Sequence, residues 1–446
     1  SHSSEKPMVH RARAAAPTFS GTFGSTSTKA SFMTLPPAAS LHQASGCFYQ
    51  RWQSLNDWLR ELEPLWRPIP FMDPAPAWRD AHPDLARWLE ALPEVECQDW
   101  EERLPELSSV LAEYVPALAR YQNLLDLPRL ATEAEGRQAE LAEVAAVDMP
   151  GRKRQQAGAF AAAVSPLGYP VLDWCCGKGH LGRTLARQGA VQVTGFEWNP
   201  ELVADGNRLA VHYSDPVRLA PQDVMVDDLK LPERHHGVAL HACGDLHRRL
   251  MQSGAQAGLP RLSLSPCCYH LTGGERYQLQ ARQTREYGQC LSVDRNDLRL
   301  AVQETVTAPE RVREQTARIS TWRLGFDALQ RELTGNRHYL PVPSHPARLN
   351  NGRFEDFCRW AAAKKQLALP TDVDWAEWLA RGEARYRQVR RHELLRHLFR
   401  RPLELWLVLD YAVFLEEQGY RVRLGTFCDR QLTPRNLMLD AVREGD

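Results

Sequence analysis

The chain has 446 residues, 43% hydrophobic and 25% charged, which is enough for two or three domains with a sizeable core. Its 55 cationic residues (48 Arg, 7 Lys) balance 55 anionic ones, which excludes a uniformly basic or acidic protein but leaves room for a local basic face. No apolar run nears the ~20 residues that span a bilayer. The ten cysteines, four of them in the adjacent pairs Cys175-Cys176 and Cys267-Cys268, do not read as a secreted disulfide framework, so a soluble protein of the reducing cytoplasm is expected.

Residues 1–45 read as a disordered leader outside the fold. The segment before Met33 is rich in Ser, Thr, Ala and Gly and has no apolar signal core. Residues 46–150 are helical in pattern and rich in Trp. Trp52, Trp58 and Trp66 recur close to helical spacing, which predicts a packed helical N-terminal domain rather than an aromatic surface for stacking bases.

At residue 151 the character changes. "GRKRQQAGAFAAAV" predicts a basic-headed helix. Strands are then predicted in "YPVLDW", "VQVTGFEWN", "VRLAPQDV", "HGVALHAC" and "RLSLSPCC", with helices between them. This alternation predicts a parallel, doubly wound sheet. It stops near residue 271. Residues 275–400 read as a helical insertion after the fifth strand, and the chain ends in a helix and two strands joined by a turn with Pro434, a hairpin expected to return to the sheet. The fold class is therefore α/β and Rossmann-like, with residues 151–446 as one domain.

"VLDWCCGKGHLG" places Gly177, Gly179 and Gly182 in a turn between strand and helix, where the backbone can approach a ligand at a helix N-terminus. A dinucleotide fingerprint has no acid in that turn, whereas Asp173 here would repel a pyrophosphate and attract an amine. Glu197 ends the next strand, where it can accept both hydroxyls of a ribose, and Asp223 follows the third, where it can accept from an adenine amino group. Acids at three successive strand ends fit S-adenosylmethionine. Cys175, Lys178, Val224 and His241 complete the candidate cofactor set, with Lys178 either over the methionine carboxylate or turned to solvent.

These motifs resemble those of class I S-adenosylmethionine-dependent methyltransferases. "LHACGDL" followed by "SPCCYH" is similar to the family typified by glutathione S-transferase C-terminal domain-containing protein and its methyltransferase-like relatives, and to the tRNA 2′-O-ribose methyltransferases of the acceptor stem. The resemblance covers about residues 151–272 and the terminal "LTPRNLML". It implies methyl transfer from S-adenosylmethionine and a tRNA substrate.

"HACGD" and "SPCCYH" end the fourth and fifth strands, so both are expected to border the transferred methyl. One reading is a metal site from Cys243, His247, Cys267 or Cys268, and His270. It is disfavoured because adjacent cysteines rarely chelate one ion, and no metal is assigned. A second is covalent catalysis by Cys243 and Cys267, as in RNA 5-methylcytosine enzymes. The preferred reading is direct transfer, in which His241, Asp245 and His270 orient the acceptor and take its proton while the cysteines shape the wall. The segment 385–401, "RYRQVRRHELLRHLFRR", carries seven Arg and one acid and is expected to bind RNA phosphates, with "GRKR" at 151–154 adding charge near the cofactor. A protein or small-molecule acceptor, or an RNA-binding scaffold without activity, are the alternatives.

Overall fold

The structure, a computed structural model, describes residues 47–303 and 310–445. The expected leader, residues 1–45, lies outside the described residues. Seven strands form one sheet: β1 (Val171–Trp174), β2 (Val193–Glu197), β3 (Val217–Pro221), β4 (His236–Cys243), β5 (Arg261–Cys267), β6 (Tyr420–Thr426) and β7 (Leu437–Arg443). Their order is β3-β2-β1-β4-β5-β7-β6. The first five run parallel, and β7 runs antiparallel to both β5 and β6. This is the Rossmann-like α/β sheet with a terminal antiparallel hairpin that the sequence predicts. The order reverses between β1 and β4, so the ligand crevice lies above the carboxyl ends of those two strands.

Packing explains why the chain takes this form. The parallel strands β1 and β5 are buried along their whole length, which suits near-continuous apolar runs covered by helices on both faces. Between β5 and β6 the chain inserts the helices Arg295–Val302, Glu310–Thr334, Phe354–Lys364, Trp375–His397 and Arg400–Glu417. Glu310–Thr334 and Trp375–His397 cross backbone to backbone. A Cβ on Gly382 would stand 2.8 Å from the Gly325 nitrogen, so only glycine fits there.

The N-terminal helices share the core of the sheet. Helix Cys47–Glu61 buries Trp52, Leu55, Trp58 and Leu59, and the Trp52 ring lies 5.9 Å from that of Trp406 in helix Arg400–Glu417. Asn56, fully buried, accepts from the Leu291 amide at 2.9 Å and from Trp406 Nε1 at 3.2 Å. The Trp residues at 52, 58 and 66 are core. From Ala44 onward the chain is one compact unit, so the change of pattern near residue 150 falls inside it. Among the described residues no helix is long and apolar enough to cross a membrane, and all ten cysteines are free thiols.

Candidate cofactor and acceptor site

The glycine turn leaves β1 through three left-handed residues, Cys175 (φ 54°), Gly177 (φ 55°) and Gly179 (φ 71°), and helix His180–Gly189 starts immediately after it. Gly177 has no atom within 4 Å of where a Cβ would stand, which leaves its flank open to a ligand. Glu197, at the end of β2, accepts from the Gly177 amide at 3.0 Å and from the Asn199 amide at 3.0 Å, tying the loop to the second strand. Asp223 is exposed beside buried Val224 and accepts from the Met225 amide at 2.9 Å. Burial pushes the Cys175 thiol up to about 12, with the Glu197 carboxylate adding to the effect, so it lines the loop as a neutral group.

Two of the expected cofactor residues already have partners within the protein. Asp173 is buried and accepts from the Gly182 amide at 2.9 Å. Burial raises its carboxyl to about 7 against the opposing pull of that amide. It therefore braces the helix N-terminus behind the loop. Lys178 pairs with Asp148 at 3.3 Å and Asp205 at 3.2 Å on the outer side, which fits the solvent-facing alternative rather than a methionine carboxylate contact. Trp198 was not foreseen. It follows Glu197 at the end of β2 and is 75% exposed.

The acceptor side is built by a break in β4. Register slips between Leu240 and Cys243, and His241 sits at φ 62° inside the break. Its Nε2 donates to Gln156 Oε1 at 3.1 Å. Gln156 Nε2 in turn donates to the Leu432 carbonyl at 3.0 Å, which fixes the amide orientation. The Nε2–H tautomer leaves Nδ1 with the lone pair. Burial lowers this imidazole to about 4, so it is neutral at pH 7.

The remaining candidates divide between the rim and the framework. Cys243, Cys267 and Cys268 bring their sulfurs within 4.8 Å of one another, and Cys243 Sγ lies 3.6 Å from Cys267 Sγ. Contacts from the two neighbouring thiols hold Cys268 well below the usual thiol range, and His270 and Arg435 add to this. The same contacts hold Cys267 up. His270 Nδ1 is buried without a hydrogen-bond partner. Asp245 is committed to the framework: it accepts from Arg248 Nη1 at 3.0 Å and from the Gly273 amide at 2.9 Å, so it holds the turn after His270 rather than facing an acceptor. His247 is fully buried between the Ala242 carbonyl at 2.9 Å and the Tyr411 hydroxyl at 3.0 Å, and belongs to the core.

The basic segment 385–401 does not form the expected positive face. Arg390 pairs with Glu101 at 2.9 Å, Arg391 donates to the Leu92 carbonyl at 2.9 Å, Arg396 donates to the Trp66 carbonyl at 3.0 Å, and Arg385 donates to the Pro70 carbonyl. Of its seven Arg only Arg387 is exposed. The N-terminal helices supply the acids and carbonyls that take up these charges. Positive charge collects at two places, the second lined in part by the end of this segment. Arg152 and Lys153 are exposed at the head of helix Gly151–Ala163, the helix that carries Gln156. A cavity of about 440 Å³ is lined by Arg400, Arg401, Arg430 and Arg435, with Asp126 and Glu404 as its only acids among the described residues; Arg401 pairs with Glu404 at 2.8 Å, and burial holds the His397 imidazole in the same wall well below its ordinary value. Arg435 joins this cavity to the rim, since its charge acts on both His241 and Cys268.

Residues 152–274 match the family model described as a methyltransferase domain. No curated protein is significantly similar to the chain. Among solved structures, the chain is similar to the Pyrococcus abyssi tRNA (uracil-54, C5)-methyltransferase in complex with S-adenosyl-L-homocysteine (21% identity, 26% of this chain and 29% of that one, TM-score 0.21). It is also similar to a geranyl diphosphate methyltransferase (16% identity, 41% and 65%, TM-score 0.22) and to the 23S rRNA methyltransferase ErmE (15% identity, 54% and 97%, TM-score 0.23). The matched part thus spans under a third of the archaeal enzyme's length. At such TM-scores the fold rests on this chain's own strand order and not on the likeness. The glycine loop, the acids ending β2 and following β3, and the matched domain together define an S-adenosylmethionine-dependent methyltransferase domain with S-adenosylmethionine as its cofactor.

Proposed function

We propose that the protein methylates structured RNA, tRNA foremost, by direct transfer to a ribose 2′-oxygen or a base nitrogen. The cofactor supplies an electrophilic methyl group on a sulfonium. Gly177, Glu197, Asp223 and Trp198 would hold it above β1 and β2. The observation that carries the acceptor side is His241. It stands at the carboxyl end of β4, next to β1 in the sheet, and is neutral, with Nε2 engaged by Gln156 and Nδ1 left to receive a proton. An acceptor hydroxyl or amine aligned there loses its proton to Nδ1 as the new bond to carbon forms. Asp245 positions the turn beside it through the Gly273 amide. The polyanion reading is supported by Arg152 and Lys153 on the helix of Gln156 and by the arginine-lined cavity that shares Arg435 with the rim. The tRNA preference is supported by the "HACGDL" and "SPCCYH" resemblance.

The three clustered thiols favour one second reading, in which Cys243 or Cys267 adds to cytosine and the product is 5-methylcytosine. Nucleoside mass spectrometry separates the two. RNA from cells lacking the gene, incubated with the protein and S-adenosylmethionine, is expected to gain a ribose-methylated or N-methylated nucleoside. A gain of 5-methylcytosine would install the second reading. No gain in any nucleoside by a protein that binds the cofactor would overturn RNA as the substrate and leave a protein or small-molecule acceptor.

A further inference from the structure

We propose that Cys243, Cys267 and Cys268 form a three-thiolate binding site for one zinc-class metal ion at the ends of β4 and β5. The three sulfurs lie within 4.8 Å of one another and the Cys243–Cys267 pair is at 3.6 Å. A tetrahedral zinc ion with bonds of about 2.3 Å to sulfur needs its thiolates about 3.8 Å apart, so the cluster is already near that spacing.

The backbone explains how consecutive cysteines can share one ion. In an extended strand Cys267 and Cys268 would project to opposite faces. Cys268 instead takes φ 51°, which turns the chain and brings the second sulfur back toward the first. On the neighbouring strand the irregularity between Leu240 and Cys243, with His241 at φ 62°, brings Cys243 level with Cys267 as its register partner. Two left-handed residues that are not glycine thus converge on one sulfur cluster, and strained backbone of this kind gathers where a site needs it. A pair of inert buried thiols would not require either.

His270, two residues beyond Cys268, has a buried Nδ1 with no hydrogen-bond partner but no nitrogen within the sulfur cluster, so the fourth position is left to a small exogenous ligand. The other nearby imidazoles are committed, His247 through both nitrogens and His241 through Nε2 to Gln156. Three thiolates around a divalent ion leave a single negative charge. Such an ion would pin the ends of β4 and β5 beneath the acceptor and withhold the thiolates from attack on a base.

The full chain, purified without chelator, is expected to carry one equivalent of zinc by elemental mass spectrometry. After stripping, titration with Co²⁺ alone should give tetrahedral bands and a thiolate-to-cobalt charge-transfer band that saturates at one equivalent. Cys268→Ser should weaken that band and lower Co²⁺ affinity at least tenfold. Because a Cys→Ser variant can misfold, wild-type protein is also alkylated with iodoacetamide with and without Zn²⁺. Zinc should protect Cys243, Cys267 and Cys268 against the other seven cysteines. Equal alkylation in both samples, no charge-transfer band, unchanged Co²⁺ binding in Cys268→Ser, or a mapped Cys243–Cys267 disulfide would each overturn the site. Neither RNA nor S-adenosylmethionine enters these measurements, so they stand or fall apart from methyl transfer.

Discussion

His241 joins backbone, charge and chemistry in one side chain. The slip in β4 swings it out of the ladder, Gln156 fixes its tautomer, and burial lowers it from an ordinary value of about 6.5 to about 4. Burial penalises the imidazolium, so the group is neutral and able to accept a proton at every pH well above 4, and loses that capacity only as pH falls through about 4. The rate of methyl transfer should therefore be flat on its acid side from pH 8 down to about 5. A bend near 6.5 in kcat would assign proton acceptance to an unburied group. His241→Gln should lower kcat by about 10²–10⁴ while leaving cofactor affinity unchanged. The sequence gives no sign that Asp245 braces the turn at Gly273, and Gln156 lies 85 residues from its partner with nothing local to mark it.

The joint between β5 and β7 is held by a buried polar network. Asp440 accepts from Arg261 at 2.8 Å and from the Ser263 hydroxyl at 2.6 Å, and Arg423 bonds to the same carboxylate at 3.1 Å. Because the Ser263 proton goes to Asp440, His236 donates to Ser263 Oγ through Nε2 at 2.7 Å. Burial pulls Asp440 upward, but Arg261, Ser263 and Arg423 outweigh it and hold the carboxyl at about 2. With the folded value below the unfolded one of about 3.9, this stabilisation is complete above pH 4 and is lost as pH falls toward 2. Asp440→Asn leaves Arg261 uncompensated in the interior and should cost about 3–5 kcal/mol, measured by denaturant unfolding at pH 7. A loss below 1 kcal/mol would show that the hairpin is held by apolar packing alone. At this level the sequence was readable: strand–helix alternation placed the five parallel strands, the turn with Pro434 placed the terminal hairpin, and the acids at strand ends follow from where parallel sheets bind ligands. The sequence raises a cysteine site here but argues against it, because adjacent cysteines in a strand should diverge and no residue type announces the left-handed turn at Cys268.

Across the whole chain, charge distribution shows what composition alone cannot. The seven arginines of 385–401 look like a nucleic-acid surface in sequence, yet most are bonded to carbonyls and acids of the N-terminal helices, which only the fold brings to them. Those helices are consequently part of the support of the methyltransferase domain, and from Ala44 the chain forms one compact unit with a core that Trp52, Trp58 and Trp406 share. A ligand held by the native crevice alone should then stabilise that whole unit. The measurement to make is thermal unfolding of wild type and Glu197→Ala with and without S-adenosylmethionine. At a hundredfold excess over Kd the cofactor should add about 2.7 kcal/mol to the wild type, raising a single transition by a few degrees. Glu197→Ala should show no shift. A wild-type protein whose unfolding is untouched by S-adenosylmethionine would contradict the cofactor site, and with it methyl transfer as this protein's chemistry.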